Sequence, residues 1–369
     1  MQANIPGEHS QSLIISAPQI RLLERLCNAC GVSGDEREVR LIVLEEIRQY
    51  ADEIKVDALG NILAVRHGAG DAWLRVMVAA HMDEVGLMII GDDGDGIFRF
   101  DKVGGVDVRK LAGKPVWVGH SHLPGIIGVP PIHLISNEDR KYSISTDSLR
   151  IDVGPDRAKK VAIGDRATFG TSFSQMGPSI RAKALDDRIG VASLIELLLT
   201  PLPQIDLLAA FTVQEEVGLR GARVAAYSLD PDLAIVLDCT LANDLPSLAN
   251  EALGMVEENT HYNTRLGGGP AIYIADRATI SDPRLIRHLV RTADALQIPF
   301  QLRQPASGGT DAGAIHKQRG GIPSISVSVP GRYPHTGGML VRLEDWGNFL
   351  TLVTQALRSL DPEVLAAER

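Results

Sequence analysis

Aromatic residues make up only 4% of this chain, so it offers few platforms for stacking nucleic-acid bases. Basic residues are not in excess. The 37 Lys and Arg face 46 Asp and Glu, a formal net charge of -9. That balance argues against non-specific binding to nucleic acid or to an anionic membrane surface. The cysteines are three, Cys27, Cys30 and Cys239, too few and odd in number for a disulfide framework. No stretch reaches the roughly 18 to 20 apolar residues of a membrane span. Met1 to Gln19 has neither a basic n-region nor a long apolar h-region, so no signal peptide is expected. The cytoplasm is the expected compartment.

The 369 residues, 44% hydrophobic and 22% charged, suit a soluble globular protein of one large domain or two ordinary ones. Ile20, Leu22, Leu23 and Leu26 share one helix face, and Gly31 closes that helix. A second amphipathic helix is expected over residues 36–50, with Asp35 as its N-cap. Ile54–Asp57 and Ile62–Val65 flank Ala58-Leu59-Gly60-Asn61 and predict a hairpin. Leu74–Ala80 is apolar almost throughout, as in a buried central strand. From about Leu87 to Phe169 helical periodicity fades and short β-type runs alternate with glycine, predicting a small inserted β domain or barrel. After Gly177 helices and strands alternate again. Helices are expected over 184–199, 219–227, 283–296 and 343–360, and strands over 207–213, 233–237, 272–275 and 325–329. No repeat or low-complexity segment interrupts the chain.

The element ends carry the chemistry. The apolar run Leu207–Val213 stops at Glu215 and Glu216, the stretch around which the rest is organised. Leu74–Ala80 stops at His81 and Asp83, and Leu233–Leu237 at Asp238. Asp186 and Asp187 open a helix, and His335 follows the strand over 325–329. Taken singly, these are N-caps, strand terminators or loop residues. Together they lie where ligands bind in open α/β sheets, outside the carboxyl ends of the strands. Histidine nitrogens and carboxylate oxygens suit zinc. A two-metal hydrolytic centre needs one histidine and one terminal carboxylate per metal and a bridging carboxylate between them. Three carboxylates and a hydroxide balance two divalent ions, as a partly buried site requires. One further carboxylate must move protons. Glu215 for the proton and Glu216 for the metal is our expectation, although spacing alone allows the reverse. The Cys27-x-x-Cys30 pair closes a helix, where packing is the plainer reading than redox or zinc chemistry. His120, His122 and His133, in a Gly/Pro-rich setting, offer another metal site, though loop histidines are usually solvated.

Ala80-His81-Met82-Asp83-Glu84-Val85-Gly86, Ala184-Leu185-Asp186-Asp187-Arg188-Ile189-Gly190, Gln214-Glu215-Glu216-Val217-Gly218-Leu219-Arg220-Gly221-Ala222 and Gly308-Gly309-Thr310-Asp311-Ala312-Gly313 together resemble the tetrahedral (TET) aminopeptidases. The similarity runs from about Leu23 to the last helix with every motif in order. It implies an α/β fold: a mixed-sheet α/β/α metallopeptidase catalytic domain over 1–86 and 170–369, and an inserted small β-barrel-like dimerisation domain over 87–169. It implies that His81 and Asp238 hold one metal, that Glu216 and His335 hold the other, and that Asp186 bridges them. Asp83 would orient His81, and Glu215 would be the general base and then the acid. Two divalent ions per subunit are implied, zinc or cobalt, with manganese also suited to the N/O ligand set. Dimers would assemble into a dodecamer whose sites face an interior chamber and admit peptides. One departure follows the last ligand: Thr336-Gly337-Gly338 stands where relatives usually carry serine and proline, and glycine loosens a loop.

The expected function is therefore a cytoplasmic dinuclear-metal aminopeptidase. The alternatives are an amidohydrolase or deacylase on the same metal core, or a catalytically idle, metal-stabilised scaffold. Arg220 and Arg332 are candidates for attracting acidic side chains, and equally for structural ion pairs.

Overall fold

A computed structural model describes residues 14–69, 74–131, 133, 144–245, 264–304, 308–366 and 368. The chain opens with α1 (Ala17–Asn28) and α2 (Arg37–Ile47) and the hairpin β1 (Glu53–Val56) and β2 (Ile62–Arg66), then β3 (Leu74–His81). Six strands follow: β4 (Gly86–Gly94), β5 (Ile97–Val103), β6 (Pro115–Val118), β7 (Leu123–Gly128), β8 (Arg150–Asp152) and β9 (Arg166–Phe169). The rest is β10 (Ser174–Met176), β11 (Ser179–Ala182), α3 (Leu185–Leu199), β12 (Ile205–Thr212), α4 (Arg220–Leu229), β13 (Leu233–Leu241) and β14 (Ala271–Tyr273). It closes with α5 (Pro283–Leu296), β15 (Gln301–Arg303), α6 (Ala312–Ile315), β16 (Ser324–Arg332), β17 (Met339–Arg342), α7 (Leu343–Arg358) and α8 (Glu363–Ala366).

Among the described residues eleven strands form one mixed sheet, whose main path is β1-β2-β12-β3-β13-β16-β17-β11-β10. The four central strands β12, β3, β13 and β16 are mutually parallel. Antiparallel strands flank them, β2 on β12 and β17 on β16. Alternate side chains of the central strands leave by opposite faces. Val76, Val78, Leu207, Ala209, Phe211, Ile235 and Leu237 join one apolar core with α1, α3, α5 and α7. Met77, Ala79, Leu208, Ala210, Ala234 and Val236 join another with Ala222, Ala225 and Ala226 of α4 and Ile315 of α6. With both faces covered, these strands read as unbroken apolar runs rather than alternating ones. The result is the expected three-layer α/β/α arrangement.

The strands from Gly86 to Phe169 close into a six-stranded barrel in the order β4-β5-β8-β7-β6-β9. It has its own core, including Leu87, Ile89, Phe98, Phe100, Val116, Val118, Ile127, Ile151 and Ala167. Gly86 is the crossing point from sheet to barrel. A Cβ there would lie 2.4 Å from Val32 Cγ2 and 2.9 Å from the Ala167 carbonyl, so only glycine fits without backbone movement. The sequence signals missed β8 and β9, which are three and four residues long.

Two local expectations are corrected. Asp35 does not cap α2. The residue before the helix is Glu36, with no capping bond; its buried carboxylate accepts from the Gly34 and Gln214 amides at 2.6 and 3.2 Å. Asp238 does not end its strand. β13 continues to Leu241, because β16 stays paired with it through Gly331.

Candidate metal centre

The carboxyl ends of the four parallel strands converge on one cavity. β3 ends on His81, the turn after β12 carries Glu215 and Glu216, β13 carries Asp238, and the loop after β16 carries His335. Asp186 comes from the N-terminal end of α3, whose first residues are not helical: Asp186 and Asp187 have φ/ψ of -83/105° and -119/42°. The adjacent pair divides its work. Asp187 turns inward and caps the helix by accepting from the Gly190 amide at 3.0 Å, while Asp186 faces the cavity. Gln214, Ala184 and His335 all have positive φ, 57°, 53° and 54°. Such backbone is uncommon in non-glycine residues and gathers at functional sites.

Asp186 stands between the two imidazoles. Its Oδ1 lies 3.3 Å from His81 Nε2 and its Oδ2 3.6 Å from His335 Nε2. Asp238 Oδ1 is 3.9 Å from His81 Nε2, and Glu216 Oε1 is 3.4 Å from His335 Nε2. Two groups of potential ligand atoms result, His81–Asp186–Asp238 and Asp186–Glu216–His335, each with all atoms within 4.8 Å. Asp186 Oδ1 is buried and has no hydrogen-bond donor. Burial pushes Glu216 up to about 7, with Asp186 adding to it and His335 opposing. Burial, and then the Asp186 charge, also raise Asp238 well above the carboxylate range. Burial works against charge on His335, but Asp186 and Glu216 outweigh it and lift the imidazole to about 9. A buried set of carboxylates repelling one another in this way calls for cations.

Asp83 organises the floor. Its carboxylate accepts from Ser33 Oγ at 2.6 Å and from the amides of Glu215 and Glu216 at 3.0 and 3.2 Å. It therefore fixes the strand end that carries both acids. His81 Nδ1 lies 3.2 Å from the Asp83 carbonyl, nearer than the 3.5 Å to its carboxylate, so the main chain holds the imidazole most closely. Asp311 lies within the Gly308–Gly313 motif, and its position in the sequence alone points to no role. It is buried, accepts from Thr212 Oγ1 at 2.5 Å, and is among the charges that raise Glu215. Burial raises Glu215 most; Asp311, Asp238 and Glu216 add to it, and His81 opposes them.

The cavity has a volume of about 670 Å³. The two imidazoles and their carboxylates line it, and so do Arg277, Arg303 and Lys317. A family model described as M42 glutamyl aminopeptidase matches residues 60–352. The chain belongs to the M42 aminopeptidase family. A lysyl aminopeptidase of Pyrococcus furiosus is 33% identical over 353 residues, covering 92% of this chain and 97% of that relative. The TET aminopeptidase of Thaumarchaeota archaeon SCGC AB-539-E09 is 34% identical with a TM-score of 0.86, over 95% of this chain and 99% of that one. A TET1 peptidase of Pyrococcus horikoshii, which can assemble into a tetrahedron or a large octahedral shell, has a TM-score of 0.78 at 32% identity, over 93% and 100% of the two chains. This M42 protein is a hydrolase acting on peptides.

Arg220 and Arg332 of the M42 chain do not line the cavity. Arg332 forms a two-pronged pair with Asp244 at 2.7 and 2.8 Å, and Arg220 Nη1 donates to Gln214 Oε1 at 3.3 Å. Arg303, which does line it, had no sequence signal of its own, because β15 is a three-residue strand. Its guanidinium lies 4.3 Å over the Tyr273 ring, Nε donates to Thr240 Oγ1 at 2.7 Å, and Nη1 is buried without a partner. After His335, the loop is less free than its glycines imply. His335 Nδ1 is 3.2 Å from the Gly105 carbonyl, Thr336 Oγ1 donates to Tyr333 O at 2.7 Å and accepts from Gly338 N at 3.2 Å. Gly337 lies close against Phe169, where a Cβ would meet the ring at 3.1 Å.

Glu36 supports the site from behind. Burial pushes its carboxyl up to about 7 from 4.5, with Asp83 adding and the Gly34 and Gln214 amides opposing. The folded state then binds more protons than the unfolded one between these values, so stability falls as pH rises through that window. Glu36→Gln keeps an acceptor for both amides and removes the charge. Denaturation midpoints should show the wild type losing about 3 kcal/mol relative to Glu36→Gln between pH 4.5 and 8. Parallel pH profiles would show instead that Glu36 is not the group responsible.

Proposed function

We propose that this M42 aminopeptidase removes N-terminal residues from peptides at a dinuclear metal centre, with Glu215 as general base. The observation that carries the reading is Asp186, whose two oxygens face the two imidazoles at 3.3 and 3.6 Å. Its buried Oδ1 without a donor and the imidazole and carboxylate donor set fit a pair of divalent cations, zinc or cobalt, with manganese also suited. His81 and Asp238 would hold one, Glu216 and His335 the other, with Asp186 shared. When bound, such a pair polarises the scissile carbonyl and makes water acidic enough to deprotonate at neutral pH.

The chain's own residues do the remaining work. Glu215 belongs to neither ligand group and lines the cavity. Its raised pKa suits a group that takes a proton from water and returns it to the leaving amine. Asp83 holds the backbone of Glu215 and Glu216 in place. The carboxylates recognise the substrate's α-ammonium, which makes cleavage N-terminal. In the same cavity, Arg303 with its unpartnered Nη1, Arg277 and Lys317 favour an acidic first side chain. Three unpaired cysteines suit a reducing compartment, and we place the enzyme in the cytoplasm. The barrel exposes Ile90, Trp117 and Ile126 and is our candidate dimerisation surface within a dodecamer.

One substrate panel tests the activity and the cationic lining together. A peptide with a free amine should be cleaved, and its N-acetylated form and N-acyl amino acids should not. Cleavage of the blocked substrates would favour the amidohydrolase. Glutamyl substrates should outrun lysyl ones, and Arg303→Ala should lower kcat/KM for the glutamyl substrate by about tenfold or more, leaving leucyl turnover in place. An unchanged glutamyl-to-leucyl ratio would remove Arg303 from substrate selection.

A further inference from the structure

Among the described residues a third cluster of metal-binding side chains lies away from the catalytic cavity. Cys30, in the connection between α1 and α2, Glu38, in the first turn of α2, and His122, at the tip of the β6–β7 hairpin, bring a sulfur, an oxygen and a nitrogen within 4.8 Å of one another. Cys30 and Glu38 are eight residues apart, whereas His122 comes from 84 residues beyond Glu38, so the cluster joins the catalytic layers to the barrel. Local structure aims them. His122 has φ 48° and its amide donates to the Gly119 carbonyl at 3.0 Å. Glu38 Oε2 accepts from the Cys30 amide at 3.0 Å, leaving Oε1 to meet His122 Nε2 at 2.6 Å.

We infer that Cys30, Glu38 and His122 form a further site for a zinc-class divalent cation, between the barrel and the catalytic domain. A thiolate, an imidazole and a carboxylate form a zinc-type donor set. Ligand atoms around tetrahedral zinc stand roughly 3.3 to 3.6 Å apart at ordinary bond lengths. The Glu38–His122 contact must therefore open by about 0.7 Å, which two side chains that are 26% and 41% exposed can do. Without a cation, Glu38 Oε1 and His122 Nε2 hold each other in place at 2.6 Å. Burial pushes the Cys30 thiol up to about 12, so binding as thiolate releases its proton. Beside Cys30 and Glu38 is a cavity of about 10 Å³, also lined by Asp35 and His120. It is about the size of one water molecule. Arg166 at its wall donates Nε to the Ser33 carbonyl at 3.3 Å and Nη1 to the Gly164 carbonyl at 2.7 Å.

Metal content and the spectrum of the cobalt-loaded full-length protein test this site independently of peptide hydrolysis. Wild type should bind one more cation per subunit than either Cys30→Ser or His122→Ala. Cobalt loading should give a thiolate-to-cobalt charge-transfer band. That band should vanish in Cys30→Ser and persist in Cys239→Ser, the other cysteine near a carboxylate cluster. Cys30→Ser is nearly isosteric, and circular dichroism and retained peptidase activity establish that it has folded. Equal metal content in the three proteins, no band in the wild type, or a band that survives Cys30→Ser would overturn the inference.

Discussion

Glu215→Gln should lower kcat by about 10²-fold or more while leaving the metal content unchanged. Glutamine keeps the shape and the backbone bond from the Glu215 amide to Asp83 Oδ1 at 3.0 Å but cannot accept a proton. Glu216→Gln should behave differently. Glu216 Oε1 is 3.4 Å from His335 Nε2 and belongs to a ligand group, so its loss should lower metal content along with turnover. Steady-state kinetics beside metal analysis on the same samples separates the two. Turnover near wild type in Glu215→Gln would end the general-base assignment. Loss of metal from Glu215→Gln with retention in Glu216→Gln would exchange the two roles.

Glu84→Ala should cost about 3 to 5 kcal/mol of stability, against the 5 to 15 kcal/mol that holds a typical domain together. Glu84 is buried beside two buried cations. It accepts from Lys183 Nζ at 2.8 and 3.0 Å, Arg188 Nη2 at 3.2 Å, the Gly31 amide at 3.0 Å and Thr168 Oγ1 at 2.8 Å. Removing it leaves Lys183 and Arg188 uncompensated in a low-dielectric interior. Burial pushes the Glu84 carboxyl up, but Lys183 and Arg188 prevail and hold it below 4.5. A depressed pKa contributes stability that is present above the unfolded value and is lost as pH falls through the folded one. The destabilisation should therefore be full at pH 7 and shrink below about pH 4. Denaturant titrations across pH measure both effects, and a loss under 1 kcal/mol at pH 7 would show that Lys183 and Arg188 find other partners. Because Thr168 belongs to the barrel and Lys183 and Arg188 to the catalytic layers, a barrel that unfolds ahead of the sheet in this variant would place the cluster at their junction.

Much of the architecture was legible because burial on both faces leaves a plain mark. Runs such as Leu74–Ala80 and Leu207–Val213 contain little but apolar residues, and the acids and histidines that interrupt them stand out at the ends. The helix over Pro283–Leu296 was expected within the same bounds, since Asp282 and Pro283 mark its start and its apolar positions fall on one face. Short strands left no such mark. β8 and β9 are held by barrel closure rather than by pattern, and β15 by its pairing with β14, so Arg303 was overlooked while Arg220 and Arg332 attracted notice. The Cys30–His122 approach was equally invisible, because a C-x-x-C spacing points to Cys27, and only the hairpin tip brings an imidazole to the second cysteine.

By itself the sequence determined which residue types are present for the chemistry and that they sit at the ends of buried strands, because the alternation of apolar runs and polar ends is written locally. Tertiary structure decided where each side chain points. Asp186 turns to both imidazoles while Asp187 caps a helix, Glu216 joins His335 while Glu215 stays outside both ligand groups, and Asp83 holds the two acids by their amides. Those divisions depend on which strands lie side by side and where each backbone turns. Apart from the local cap made by Asp187, they are fixed by packing between segments more than a hundred residues apart, which no local pattern records.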